Sequence, residues 1–147
     1  MSLADWAHNG WLVEHRTSPK EIEDLLSLAD RDLRDCTSPG LSEDWQLAIA
    51  YNAALQCATA ALAACGYRAA REEHHHRTIQ SLAYTMQAEP HLIRQLDAFR
   101  KKRNIGDYEH PGLVSETEVH EMLVLARTLR QKFAEWLRQN YANLLSD

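Results

Sequence analysis

The chain reads as an all-α protein, an antiparallel bundle of four to five helices with a long Ala-rich second helix and a long C-terminal helix. Apolar residues recur three and four apart over most of its 147 residues, the period of a helix with one buried face. Helix-start chemistry precedes these runs. Glycine (5) and proline (4) are scarce and fall mostly between the periodic segments, which fits neither disorder nor an all-β fold. At this length, residues 1–147 read as a single domain able to close its own core without disulfides or a structural metal.

Residues 1–16 carry Trp6, Trp11, Leu12 and Val13 among His and Asn, and are expected to form an N-terminal arm or short helix that docks through its tryptophans. Thr17-Ser18-Pro19-Lys20-Glu21 then opens a helix: Ser18 can cap, Pro19 suits the first turn, and Glu21 can complete a capping box. That helix runs to about residue 36 with Ile22, Leu25, Leu26, Ala29 and Leu33 on one face. Ser42, Glu43 and Asp44 open the second helix, which continues to Cys65 and stops at Gly66. Trp45, Ala48, Ile49, Leu55 and Leu62 form one stripe, yet the many alanines leave almost no polar face. Such a helix is either central or shared between subunits.

A polar connection, 68–77, leads to a shorter helix through Thr78, Ile79, Leu82, Ala83 and Met86. Ala88-Glu89-Pro90 ends it and begins another, with Leu92, Leu96 and Phe99 in phase. Gly106, Pro111 and Gly112 mark a loop. Ser115 to Glu118 is a second capping box, before a final helix that turns Val119, Met122, Leu123, Ala126, Leu129, Phe133, Trp136, Leu137 and Tyr141 inward.

The formal charge of -5 means that contact with nucleic acid must be local rather than global. The local candidate is the run Arg100, Lys101, Lys102, Arg103; taken alone, such a run also describes a solvated helix face. The N-terminus lacks a basic region followed by an apolar stretch, and no segment has the unbroken apolar length of a membrane span, so a cytoplasmic location without membrane contact is expected. On one helix, Cys57 and Cys65 stand roughly 12 Å apart at 1.5 Å per residue, too far for a disulfide. With Cys36 they read as buried or idle thiols.

The most informative stretch is Arg-Asn-Ile-Gly-Asp-Tyr-Glu-His at 103–110, expected as a loop at a helix end. By helical phase Arg103 follows Leu92, Leu96 and Phe99, while Arg100, Lys101 and Lys102 fall off that stripe toward solvent. A guanidinium at the edge of a core needs a partner, either a carboxylate of the fold or a ligand phosphate. His110 titrates near neutrality and can give or take a proton. Tyr108 offers a ring and a hydroxyl, and Asn104 can cap the helix or hydrogen-bond a phosphate. Together these residues can bind a phosphodiester, stack a base and move a proton without metal. Equally, Arg103 can pair with a structural carboxylate while Asn104 and Gly106 close the helix.

The helical layout, the Ala-rich second helix, His75-His76-Arg77-Thr78-Ile79 and above all Arg103-Asn104-x-x-x-Tyr108-x-His110 before the last helix resemble the HEPN superfamily. The resemblance implies a small helical bundle, commonly a homodimer, in a family with many metal-independent ribonucleases that act as toxins or defence proteins. Its signature is an Arg, four to six residues, then a His, often with Asn after the Arg; Arg103 and His110 meet it at the long limit. In the subgroup paired with a nucleotidyltransferase antitoxin, His precedes Tyr, whereas here Tyr108 comes first. The resemblance implies catalytic roles for Arg103 and His110, RNA or nucleotide contacts from Asn104, Tyr108, Lys102, Arg100 and His75, and an antitoxin of that type as a partner. A non-catalytic helical module that binds a nucleotide or a partner protein is the alternative.

His74, His75 and His76 cannot converge on one ion from a single helix, because consecutive residues point about 100° apart. Glu72 with His75 and Glu73 with His76 have carboxylate-bridged spacing, but such sites need the motif twice. No metal is expected. Neither a nucleotide-binding glycine loop nor a nucleophile elbow occurs, so no cofactor is expected either.

Overall fold

Ser2 and Asp5 cap each other reciprocally, Ser2 Oγ accepting from Asp5 N at 3.2 Å and Asp5 Oδ2 from Ser2 N at 2.9 Å, and so open α1 (Leu3–His8). The computed structural model describes residues 1–108 and 113–145, with side chains through Arg103 and again from Leu113. Trp6 is buried, with its ring edge-on to Trp11 at 5.8 Å and to Tyr84 at 5.3 Å between centroids. The arm therefore docks through its tryptophans, as expected. It then adds something not expected from the sequence. Strand β1 (Leu12–Glu14) pairs antiparallel with β2 (Tyr67–Ala69), with Leu12 opposite Ala69 and Glu14 opposite Tyr67. Trp6, Leu12, Leu62 and Ala69 make a small apolar cluster of their own under this ribbon.

Helix α2 (Pro19–Asp35) starts where the sequence says, Ser18 Oγ accepting from Glu21 N at 3.1 Å. The Glu21 carboxylate is used differently from the expected capping box. It accepts from Thr17 Oγ1 and lies against His15 Nε2, both at 2.7 Å, which ties the helix start to the end of the arm. Ile22 and Ala29 are buried, with Leu25, Leu26 and Leu33 packed beside them.

Helix α3 (Glu43–Ala64), capped by Ser42, is the centre of the molecule. It packs along α2 and along the C-terminal helix, and its alanines let those backbones come close. It is in fact long and apolar enough to cross a membrane by length and composition, contrary to the expectation from sequence, but here its neighbours cover it. Trp45 departs from the predicted stripe: it is 64% exposed, and burial along α3 begins only at Leu47. Gly66 ends the helix with φ +95°, a left-handed conformation that glycine takes without cost.

The single helix expected across 78–86 is two, α4 (His74–Gln80) and α5 (Leu82–Thr85), joined at Ser81, whose buried hydroxyl donates to Thr78 O at 2.6 Å. Helix α6 (Pro90–Tyr108) buries Leu92, Ile93, Leu96 and Phe99. It runs on through Asn104 and Gly106, so the expected loop does not begin at Arg103 and Asn104 is not a cap. A helical glycine costs only about 1 kcal/mol, which an otherwise well-anchored helix absorbs. Helix α7 (Glu116–Asn140) opens with the predicted Ser115–Glu118 capping box and buries Met122, Ala126, Leu129, Phe133 and Leu137; a 3₁₀ turn (Ala142–Leu144) follows. Arg130 of α7 grips Asp30 of α2 through two hydrogen bonds of 2.8 and 3.2 Å, worth about 1 kcal/mol at this half-exposed site.

The three cysteines are free. Burial raises each thiol, Cys57 to about 12, so all three are protonated at neutral pH.

Candidate functional site

The start of α4 and the middle of α6 enclose a cleft of about 460 Å³ lined by Glu73, His74, His75, His76, Asp97, Arg100 and Lys101. The chain enters α4 through Glu73, whose φ of 51° is left-handed. Such a backbone costs a non-glycine residue about 1–2 kcal/mol and is tolerated where the surroundings demand it. Glu73 is held one turn on by Arg77 at 3.2 Å, and the Arg77 guanidinium stacks 3.8 Å from the centre of the Trp11 ring. The N-terminal arm thereby braces the helix that carries the histidines.

Asp97 organises the opposite wall. Its side chain is 14% exposed and accepts from His76 Nδ1 at 3.0 Å and Arg100 Nε at 2.8 Å, with Lys101 Nζ 3.6 Å away. Burial alone would raise the Asp97 pKa, but hydrogen bonds from Arg100 and His76 outweigh it and hold the carboxyl below its ordinary 3.8. Arg100 therefore does not point to solvent as its helical phase suggested; its side chain is 20% exposed, drawn in by Asp97. Lys101 does stay exposed. Lys102 does not line the cleft and lies 3.5 Å from Glu118 at the start of α7.

Behind the cleft stands Tyr51 of α3, fully buried. The Arg103 guanidinium carbon lies 5.4 Å from the centre of its ring, within cation–π range, and the His75 ring lies 6.2 Å from it. Burial pushes the Tyr51 hydroxyl up to about 12 against the pull of Arg103 and Arg100, so it stays neutral. Burial first, then the nearby His74, Arg103 and Arg100, lower the His75 pKa from 6.5. Arg103, Arg100 and His75, three of the residues singled out in the sequence, thus share one electrostatic neighbourhood.

The backbones of Asn104 and Tyr108 belong to α6, while their side chains, and His110 entirely, lie outside the described residues. Sequence reasoning passed over Asp97 and Tyr51. Asp97 has a legible signal, since it stands three and four residues before Arg100 and Lys101 on one helix. Tyr51 was hidden among the alanines of α3, although an aromatic hydroxyl in so apolar a helix is itself a signal. Among the described residues, no group of three or more His, Cys, Asp or Glu is arranged to hold a metal ion. A neutral imidazole beside two guanidiniums can bind an anion and exchange a proton with it. No protein-family model, curated protein or solved structure matches the chain.

Proposed function

We propose that this chain is a HEPN-like, RNA-directed protein that acts as a metal-independent endoribonuclease of the toxin or defence type. The observation that carries the reading is the approach of Arg103 from α6 and His75 from α4 to the Tyr51 ring, beside the cleft that His75 and Arg100 line, residues separated by 25 and more positions in the chain. A phosphodiester is the anion that suits this mixture of planar guanidiniums and imidazole, because guanidinium forks match phosphate oxygens. In the proposed reaction a ribose 2'-hydroxyl attacks the adjacent phosphorus, Arg103 stabilises the charge that develops on the phosphoryl oxygens, and His110 serves in proton transfer. Asn104, Tyr108 and Lys102 are proposed as further contacts along the RNA. The resemblance further proposes a cytoplasmic homodimer with two copies of the motif at one cleft, and a nucleotidyltransferase-type antitoxin as partner.

One observation favours a second reading, a module that binds a nucleotide or partner protein without cutting. Asp97 engages Arg100, Lys101 and His76 and offsets part of the positive charge in the cleft. Incubating the purified protein with RNA in EDTA separates the two. Cleavage that Arg103→Ala and His110→Ala both reduce by roughly 100-fold or more supports the nuclease; binding without cleavage, or cleavage indifferent to both substitutions, selects the second.

A further inference from the structure

Three consecutive histidines stand at the start of α4, and the fold gives each a different environment. His74 is exposed on the rim of the cleft. His76 is engaged, its Nδ1 donating to Asp97. His75 is half-buried, faces the ring of Tyr51, and lines the cleft together with Arg100. No hydrogen bond or ion pair to His75 occurs among the described residues. The same Tyr51 ring that backs His75 also carries the Arg103 guanidinium at 5.4 Å. An aromatic platform with an imidazole on one part and a guanidinium on another holds a proton acceptor and an anion-binding group at a set separation.

Resting on the ribonuclease reading above, we propose that His75 is the general base of the cleavage, taking the proton from the attacking ribose 2'-hydroxyl. The oxygen so activated forms a bond to phosphorus, and the bond from phosphorus to the 5'-oxygen breaks, its electron pair leaving with that oxygen. The leaving oxygen takes a proton from solvent water, and the proton held by His75 returns to solvent. The products are a 2',3'-cyclic phosphate and a 5'-hydroxyl, with no change of oxidation state. A metal-free cleavage of this kind needs a base beside the attacking hydroxyl, and His75 lines the cleft together with Arg100.

The electrostatics suit a base. Burial comes first, and the charges acting with it are His74 from the same helix and Arg103 and Arg100 from α6, while Tyr51 of α3 stays neutral. All of these favour the unprotonated imidazole near neutrality, where its lone pair is available. His76, the neighbour most alike in chemistry, is instead engaged by Asp97.

Single-turnover cleavage of an RNA oligonucleotide by the full chain in EDTA, across pH 5 to 9, tests the assignment. His75→Gln and His75→Ala are compared with wild type, and affinity is read with a 2'-deoxy oligonucleotide that cannot be cut. The expected result is a loss of roughly 100- to 10,000-fold in cleavage rate. Binding changes less than about threefold, the acid limb of the wild-type pH profile disappears in both variants, and added imidazole restores part of the rate of His75→Ala. Wild-type cleavage with His75→Gln within about threefold of it and an unchanged pH profile overturns the role of His75 while leaving the ribonuclease reading intact. An inert wild type overturns both. A rate loss matched by an equal loss of binding, or by a lowered melting temperature in both variants, assigns His75 a structural place and also overturns the proposal.

Discussion

The two helices that meet at Tyr51 and Arg103 solve opposite problems. Helix α3 is covered on nearly every side, mostly by way of alanines, and its buried Tyr51 approaches His75 and Arg103 of the candidate site. Helix α6 buries one stripe, Leu92, Ile93, Leu96 and Phe99, and then presents Arg100, Lys101, Lys102 and Arg103 in a single turn. A helix surrounded by close packing cannot shift without opening voids, so it serves as a fixed back wall. A helix with one buried face can carry charge at its end because water and counter-charges reach the other faces. The cleft lies between α4 and α6, and the rigid helix reaches its His75 through the Tyr51 ring.

This division of labour breaks most severely on the α3 side. Leu47→Ala removes a fully buried side chain from the main core and should cost about 2–5 kcal/mol. Thermal or denaturant unfolding measures the loss, and a cost under about 1 kcal/mol means that α3 is not the rigid member. On the α6 side, Asp97→Asn should cost about 1.5–3 kcal/mol at pH 7, since hydrogen bonds to charged partners lose one charge. The sign of its pH dependence follows from the lowered pKa. The stabilisation is fully present above the ordinary carboxyl range and is lost as pH falls through a value below 3.8. Melting curves of wild type and variant should therefore stay separated at neutral pH and converge only under strong acid. Convergence already near pH 6 would place the relevant proton on a histidine instead. The same variant frees Arg100 and Lys101, so RNA retention at low salt should rise.

The smallest effect is expected where the two helices touch. The Tyr51 hydroxyl is buried with no hydrogen-bond partner among the described residues. Tyr51→Phe keeps the ring that backs His75 and Arg103 and removes that polar atom, so stability should hold within about 1 kcal/mol or rise. Cleavage should be retained. A loss of several kcal/mol in unfolding would reveal a partner for the hydroxyl and a less passive wall.

Much of the scaffold was legible because helix starts are local chemistry. Ser18 with Pro19, Ser42 with its acidic neighbours, and Ser115 with Glu118 each place the capping group within three residues of the amides it serves. Local reasoning failed where a distant partner decided the outcome. Glu21 had a hydroxyl and an imidazole partner upstream of the expected cap, Arg100 was turned from solvent by Asp97, and Gly106 did not end its helix. Trp45 shows the same limit from the other side, since helical phase gives a residue's direction but not how far its neighbours extend.

From sequence alone came the helical class, the long central and final helices, the helix starts, the free cysteines and the choice of Arg103 and Arg100, because periodicity, capping and side-chain chemistry act over a few residues, while His75 came from the family resemblance. Tertiary structure decided that β1 pairs with β2 across more than 50 residues, that Asp97 gathers the cations, and that His75 and Arg103 both approach the ring of Tyr51. Those contacts depend on which helix lies beside which. That is set by the packing of whole faces around α3, and no short window of sequence contains it.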